Sequence, residues 1–191
     1  MNFNDNPALI LVNFQLGFLE QSYWGYNFST PNMFSNSRKI LEIWRELGLS
    51  VIHVQHHSED PDSPLHPEKE TVNFSPEFNP KNDEKVVIKK SQSIFFNNDL
   101  QEYLIAKNIK KLVFIGFRTN VSISTSIRVA RDMLFESYIV SDATCTFDKI
   151  GFDGIKYPAE ILHQSELTSL RLESANIITT QQIELFYNHQ K

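Results

Sequence analysis

Short runs of apolar and β-branched residues alternate along this chain with stretches whose apolar residues recur every three or four positions. Leu9–Phe14, Ser50–Gln55, Val86–Lys89, Leu112–Gly116, Tyr138–Ser141 and Asn176–Thr179 read as strands. Between them, Asn36–Leu47 carries Ile40, Ile43, Trp44 and Leu47 at helical spacing and is stopped by Gly48. Asn98 is placed to cap a helix over Asp99–Lys107, with Leu100, Tyr103 and Leu104 as its stripe. Thr119 or Asn120 is expected to cap a third helix running through about Leu134. Pro158 suits the first turn of a fourth, running towards Leu172, and Gln181–Tyr187 makes a short closing helix. Strands alternating with helices imply one α/β domain over residues 1–191, with a parallel sheet covered on both faces. Two loops interrupt the pattern. Glu59–Asp83 holds Pro61, Pro64, Pro67, Pro76 and Pro80 and is expected to be an ordered cover over the sheet edge. Thr146–Tyr157, with Gly151 and Gly154, is expected to be a flexible connection. Long loops in a compact domain are more often functional than idle.

Composition narrows the partners. A formal net charge of -5 over 191 residues, with no basic stripe, argues against nucleic acid. No apolar run approaches the roughly 20 residues that span a bilayer. The first residues lack the basic-then-apolar layout of a signal peptide. The lone Cys145 excludes an intrachain disulfide and points to a reducing compartment. A cytoplasmic protein acting on a small molecule and associating with itself is the expectation, without membrane or nucleic-acid partners.

The stretch Leu112–Ser122 carries the most chemistry. An apolar run ends at Gly116, and a polar turn then delivers a hydroxyl at the start of a helical pattern. Unpaired backbone N–H groups there stabilise a nucleophile or an anion. In an open α/β sheet ligands bind outside the carboxyl ends of the strands. Those ends carry Asn13, then His56 and His57, then Lys89, then Phe117, Arg118, Thr119 and Ser122, and last Asp142.

Three segments give these positions a family likeness. Ala8-Leu9-Ile10-Leu11-Val12-Asn13-Phe14-Gln15, followed by Phe18, is similar to an opening strand with Asp, a hydrophobe and Gln. Lys89-Lys90-Ser91-Gln92-Ser93-Ile94-Phe95-Phe96-Asn97-Asn98-Asp99-Leu100 is similar to a lysine before a Ser-x-Phe-Phe segment and an Asp-Leu pair. Gly116-Phe117-Arg118-Thr119-Asn120-Val121-Ser122 matches a nucleophile motif of Gly, three variable residues and Asn-Val-Cys, except at its last position. Ser141-Asp142-Ala143, and His163-Gln164 with Leu167 and Leu170, also fit. Over nearly its whole length the chain resembles the isochorismatase-like hydrolases, which include nicotinamidases and other cysteine amidases. The resemblance implies a doubly wound, three-layer fold with six parallel strands. It also implies a site at Asn13, Lys89 and Ser122, where the cysteine branch has Asp, Lys and Cys, and a cis peptide at Phe117–Arg118 in the nucleophile turn.

The departures decide what that site can do. Asn13 has the shape of Asp but takes up no proton near neutral pH. The Ser122 hydroxyl is far less acidic than a thiol, so it needs a base more than cysteine does. The isochorismatase branch uses its carboxylate as a proton donor, which Asn13 also cannot replace. Each position has a plainer reading: Asn13 as a strand-end amide, Lys89 as a surface charge like Lys90, Ser122 as a helix-start serine. Arg118 is either an outward charge or part of a positive pocket with Lys89. Phe18, Phe95, Phe96 and Phe117 either line an apolar pocket, together with Arg118 and Thr119, or cover the sheet. A metal is not expected, because His56-His57-Ser58 fails the nicotinamidase pattern, His53 lies within a strand and His66 sits in the proline-rich loop. No other cofactor is implied. Cys145 reads as a small packed residue.

Three functions fit these residues: a hydrolase homologue with a degraded catalytic set that binds a small carbonyl or anionic ligand with little or no turnover; an amide or ester hydrolase using Ser122 with Lys89; or a non-catalytic structural or regulatory subunit.

Overall fold

The computed structural model describes residues 2–81 and 83–189; Met1, Asn82 within the proline-rich loop, Gln190 and Lys191 lie outside them. The strands are β1 (Ala8–Val12), β2 (Val51–His56), β3 (Lys85–Lys89), β4 (Lys111–Phe117), β5 (Glu136–Cys145), β6 (Lys149–Ile150), β7 (Lys156–Tyr157) and β8 (Asn176–Ile178). The helices are α1 (Gln21–Trp24), α2 (Met33–Glu46), α3 (Leu100–Ala106), α4 (Ser124–Asp132), α5 (Ala159–Leu170) and α6 (Thr180–Asn188). Six strands form one parallel sheet in the order β3-β2-β1-β4-β5-β8, as the alternation predicts.

Every residue of β1 is buried, and its alternation divides the core. Leu9 and Leu11 meet Ile40, Leu41 and Trp44 of α2 and Ile183 of α6. Ala8, Ile10 and Val12 meet Leu100 and Leu104 of α3, Ile127 and Ala130 of α4, and Leu167 and Leu170 of α5. The fold is a three-layer, doubly wound α/β sandwich. Its strand order turns between β1 and β4, and crevices form at such a switch point.

Several boundaries differ from expectation. The strand predicted to reach Phe14 stops at Val12, because Asn13 takes a left-handed φ of 61° and leaves the ladder. The strand predicted over Tyr138–Ser141 runs from Glu136 to Cys145. Its register with β4 shifts between Phe114 and Gly116, and past that irregularity Cys145 pairs with Phe117. Asp142 therefore lies inside β5 rather than after it. Its Oδ1 accepts from the backbone N of Thr180 at 2.8 Å and from Thr180 Oγ1 at 2.9 Å, holding the start of α6. Neither Thr119 nor Asn120 caps α4: a π-helical turn over Thr119–Ile123 comes first, in which Ile123 N reaches back five residues to Arg118 O. Pro158 sits one residue before α5 rather than inside its first turn.

The two loops separate in character. The proline-rich segment is ordered, with 3-10 turns at Glu70–Val72 and Pro76–Phe78. Its Phe78 is fully buried and stacks on Phe14 at 4.2 Å. The segment expected to be a flexible connection folds into the antiparallel β6–β7 ribbon. Gly151 N donates to Ile155 O at 2.8 Å, and Lys156 pairs with Asp148 at 2.6 Å.

Candidate functional site

Asn13, Lys89 and Ser122 converge outside the carboxyl ends of β1, β3 and β4, with 1%, 2% and 6% of their surface exposed. Asn13 reaches across to the turn after β4, where Nδ2 donates to Phe117 O at 2.9 Å and to Ser122 Oγ at 3.3 Å. Lys89 closes β3, and strand alternation turns it inward while Lys90 faces solvent and pairs with Glu59. Lys89 Nζ donates to Ser91 O at 2.9 Å and to Ser122 Oγ at 3.3 Å, and lies 3.3 Å from His56 Nδ1. The Phe117–Arg118 peptide is cis. Ser126 Oγ fastens the turn, donating to Ser122 O at 2.5 Å and accepting from Ile94 N at 3.1 Å. That pair ties the segment after β3 to the segment after β4.

The electrostatics are one-sided. Among the described residues no carboxylate lies within ion-pair distance of Lys89. Burial, and then the Arg118 charge, lower its ammonium from the ordinary 10.5 to about 8. Burial, and then the Lys89 charge, push His56 down to about 4. The imidazole is therefore neutral near pH 7. Arg118 lies with its guanidinium 5.0 Å from the centre of the Trp24 ring. Ser122 Oγ thus faces two donors, Asn13 Nδ2 and Lys89 Nζ, where the Lys89 and Arg118 charges come together.

Folding lowers the Lys89 pKa, so between about 8 and 10.5 the unfolded chain holds more protons than the folded one. In that window stability rises with pH, and below it the full cost of burying a charged amine applies. Relative to Lys89→Met, wild type is expected to gain about 2–3 kcal/mol from pH 8 to 10.5. Paired urea melts at several pH values read this difference, and parallel curves for the two proteins would refute it.

The other expected site residues divide. Phe18 and Phe117 stack on each other at 5.2 Å, and Phe117 stacks on Phe147 at 5.8 Å, giving the turn an aromatic backing. Phe95 is directed elsewhere. It stacks on Phe135 at 6.1 Å in the core layer of α3 and α4, and it is the neighbouring Phe96, 60% exposed, that lines a groove. This groove of about 430 Å³ runs beside Lys89 between Ile88, Phe96 and Glu59. Thr119 is likewise occupied, its hydroxyl lying 2.8 Å from His163 Nδ1. His163 Nε2 donates to Ser141 O at 3.0 Å, and burial lowers the His163 pKa, so Nδ1 is the acceptor of the Thr119 proton. Three further histidines are separate: His53 pairs with Glu84 at 2.8 Å, His57 lies 3.2 Å from Gln55 Oε1, and His66 lies 3.9 Å from Glu68. Among the described residues no three His, Cys, Asp or Glu side chains form a metal-holding group. Cys145 is buried, and burial pushes its thiol pKa well up.

Three participants had weak signals. Gln15 clamps the end of β2 to the proline-rich cover, donating to His56 O at 2.9 Å and Val72 O at 2.8 Å and accepting from His56 N at 2.8 Å. Only its place in the opening motif pointed to it. His56 was marked by its strand end alone, and nothing in the pattern of residues marked Trp24.

The sequence matches the family description "Isochorismatase domain" over residues 7–182. It is 34% identical over 179 residues to an uncharacterized isochorismatase family protein, YrdC, of Bacillus subtilis, covering 94% of this chain and 95% of that protein. A protein of the isochorismatase family from Chromobacterium violaceum has a solved structure that superposes with a TM-score of 0.92 at 28% identity, covering 99% of this chain and 97% of that one. An isochorismatase from Pseudomonas putida superposes with a TM-score of 0.84 at 26% identity, covering 93% and 90%.

Proposed function

The chain belongs to the isochorismatase family, and within it we propose a member that binds a small anionic or carbonyl ligand at Asn13, Lys89 and Ser122 with little or no turnover. One observation carries this reading. At Ser122 Oγ both neighbours are donors, Asn13 Nδ2 and Lys89 Nζ, each at 3.3 Å. A serine made ready for attack needs an acceptor for its proton. Two donors and a nearby guanidinium instead make a cradle for an oxygen that carries negative charge.

Asn13 Oδ1 refines the ligand. It is buried and has no hydrogen-bond partner among the described residues, while the Phe117 carbonyl holds the Nδ2 side of the amide. A buried acceptor without a donor is costly. A ligand with a carboxylate or amide oxygen facing Lys89 and an N–H or O–H facing Asn13 Oδ1 satisfies both. Calorimetric titration with small carboxylates and carboxamides tests this. Lys89→Met is expected to weaken binding by about 10–100-fold, the worth of one charged hydrogen bond. Carboxylate affinity is also expected to fall as pH rises through about 8, because the Lys89 proton is lost there. Affinity unchanged in both comparisons would refute the reading.

A second reading has its own support. With Nζ 3.3 Å from Ser122 Oγ and a pKa of about 8, a deprotonated Lys89 is a base within reach of the hydroxyl. Ester or amide turnover that climbs with pH through 8 and is abolished by Ser122→Ala would favour an active serine hydrolase. A protein partner retained after loss of the pocket residues would favour a structural subunit.

A further inference from the structure

We propose that Lys89 is a site of carbon dioxide uptake, its ε-amine forming a carbamate whose carboxylate faces Ser122 and Arg118. The inference concerns a modification of the chain itself and stands whether or not a bound ligand is turned over. It begins from the company Lys89 keeps. Lys85, Lys90, Lys111 and Lys156 each pair with a carboxylate. Lys89 has 2% of its surface exposed, and its Nζ lies against the neutral Ser91 carbonyl, His56 imidazole and Ser122 hydroxyl. Arg118 adds a like charge. A buried ammonium without a counter-ion is held at high cost. The neutral amine that relieves this cost is also the form that reacts with carbon dioxide. With a pKa of about 8, Lys89 holds a substantial neutral fraction at mildly alkaline pH, whereas solvated lysines titrate near 10.4.

The step balances with carbon dioxide as the only co-reactant. The amine lone pair forms an N–C bond, one C=O electron pair moves onto oxygen, and one proton leaves the nitrogen for the buffer. The side chain passes from a neutral amine to an anion with one N–H left, and counted from the ammonium two protons go to the buffer. The Ser122 hydroxyl and the Arg118 charge suit the product better than the reactant, whereas the His56 imidazole gives up its contact with Nζ. The remaining N–H keeps the bond to Ser91 O, and the carboxylate is left to the Ser122 hydroxyl with the Arg118 charge acting on it. The groove between Ile88 and Phe96 reaches β3 at Lys89 and is the approach for carbon dioxide. The product places a carboxylate beside Ser122, a group the side chain of Asn13 cannot supply.

The experiment is 13C NMR of the folded protein in 13C-bicarbonate at pH 8.5, with 15N-lysine incorporated. The expected result is a carbamate line split by a bonded lysine 15N. It should be lost in Lys89→Met, lost on unfolding in urea, and lost reversibly at pH 6. The chain's α-amine also forms a carbamate, but its line is unsplit and survives both Lys89→Met and urea. Arg118→Met, which retains the amine but removes the facing cation, is expected to lower the occupancy. If Lys89→Met proves unfolded, the split line and its loss in urea still identify a lysine carbamate that depends on the fold. A folded wild type that shows only the unsplit line at saturating bicarbonate overturns the proposal.

Discussion

Asn13→Asp combined with Ser122→Cys is expected to raise hydrolysis of small primary amides by about 10²–10⁴-fold, the range a positioned acid–base group contributes. Neither single variant is expected to approach that gain. With Ser122→Cys alone the thiol still faces two donors, Asn13 Nδ2 and Lys89 Nζ, and no acceptor. With Asn13→Asp alone the new carboxylate faces a hydroxyl, whose proton it is too weak a base to remove. Together they place a carboxylate within hydrogen-bond reach of a thiol, next to a buried lysine that stabilises both anions. The new carboxylate also loses the donor that Asn13 presents to Phe117 O at 2.9 Å. An oxygen facing that carbonyl favours a shared proton, which suits a group that must pick one up and return it. Ammonia release from a panel of small amides measures turnover, and the rate of alkylation by iodoacetamide measures the thiolate. A double variant with neither turnover nor faster alkylation than Ser122→Cys alone would show that the site lacks more than these two groups.

Gly116→Ala should be among the most damaging single changes available, costing at least about 4 kcal/mol and abolishing ligand binding with the fold. The residue sits at φ 112°, a region that residues with a Cβ rarely adopt. A Cβ there would lie 2.1 Å from Val12 O and 2.9 Å from Phe14 Cε2. Val12 is the register partner of Gly116 on β1, so the clash is with backbone and no rotamer relieves it. Relaxation would have to part β1 from β4, the two strands that carry Asn13 and the Ser122 turn. Urea unfolding followed by far-UV circular dichroism reads the loss. A cost under about 1 kcal/mol would mean that the close approach is far softer than the geometry implies.

Much of the fold and the site is legible in the chain, for a reason that can be stated residue by residue. Fully buried strands announce themselves as apolar runs, so the parallel sheet can be read from Leu9–Phe14 and its counterparts, and the site from the residues just past each run. Strand alternation alone separates Lys89 from Lys90. Boundaries are less legible where a local rule meets a stronger tertiary one. Asn13 looks like a continuing strand position, yet its left-handed φ aims its amide across to Phe117 and Ser122. Thr119 looks like a helix cap, but a buried imidazole 44 positions away takes its hydroxyl. Phe95 and Phe96 are adjacent and identical in type, and only the packing of α3 and α4 sends one into the core and leaves the other on the groove.

The amino-acid pattern by itself determined the layered α/β architecture and the three side chains at the strand ends, while the family likeness rested on the motifs that hold them. It could do so because periodicity and strand-end position are properties of neighbours in the chain. What the site does with those side chains was decided by contacts between residues distant in sequence. The bond from Asn13 to Ser122 spans 109 positions and that from Lys89 to Ser122 spans 33. Donor direction, burial and missing counter-ions arise only when such segments are packed together, because each depends on which groups are left to solvate a charge once water is gone. Packing thus turned an ordinary lysine into a buried amine with no carboxylate partner among the described residues, and a motif serine into an oxygen held between two donors.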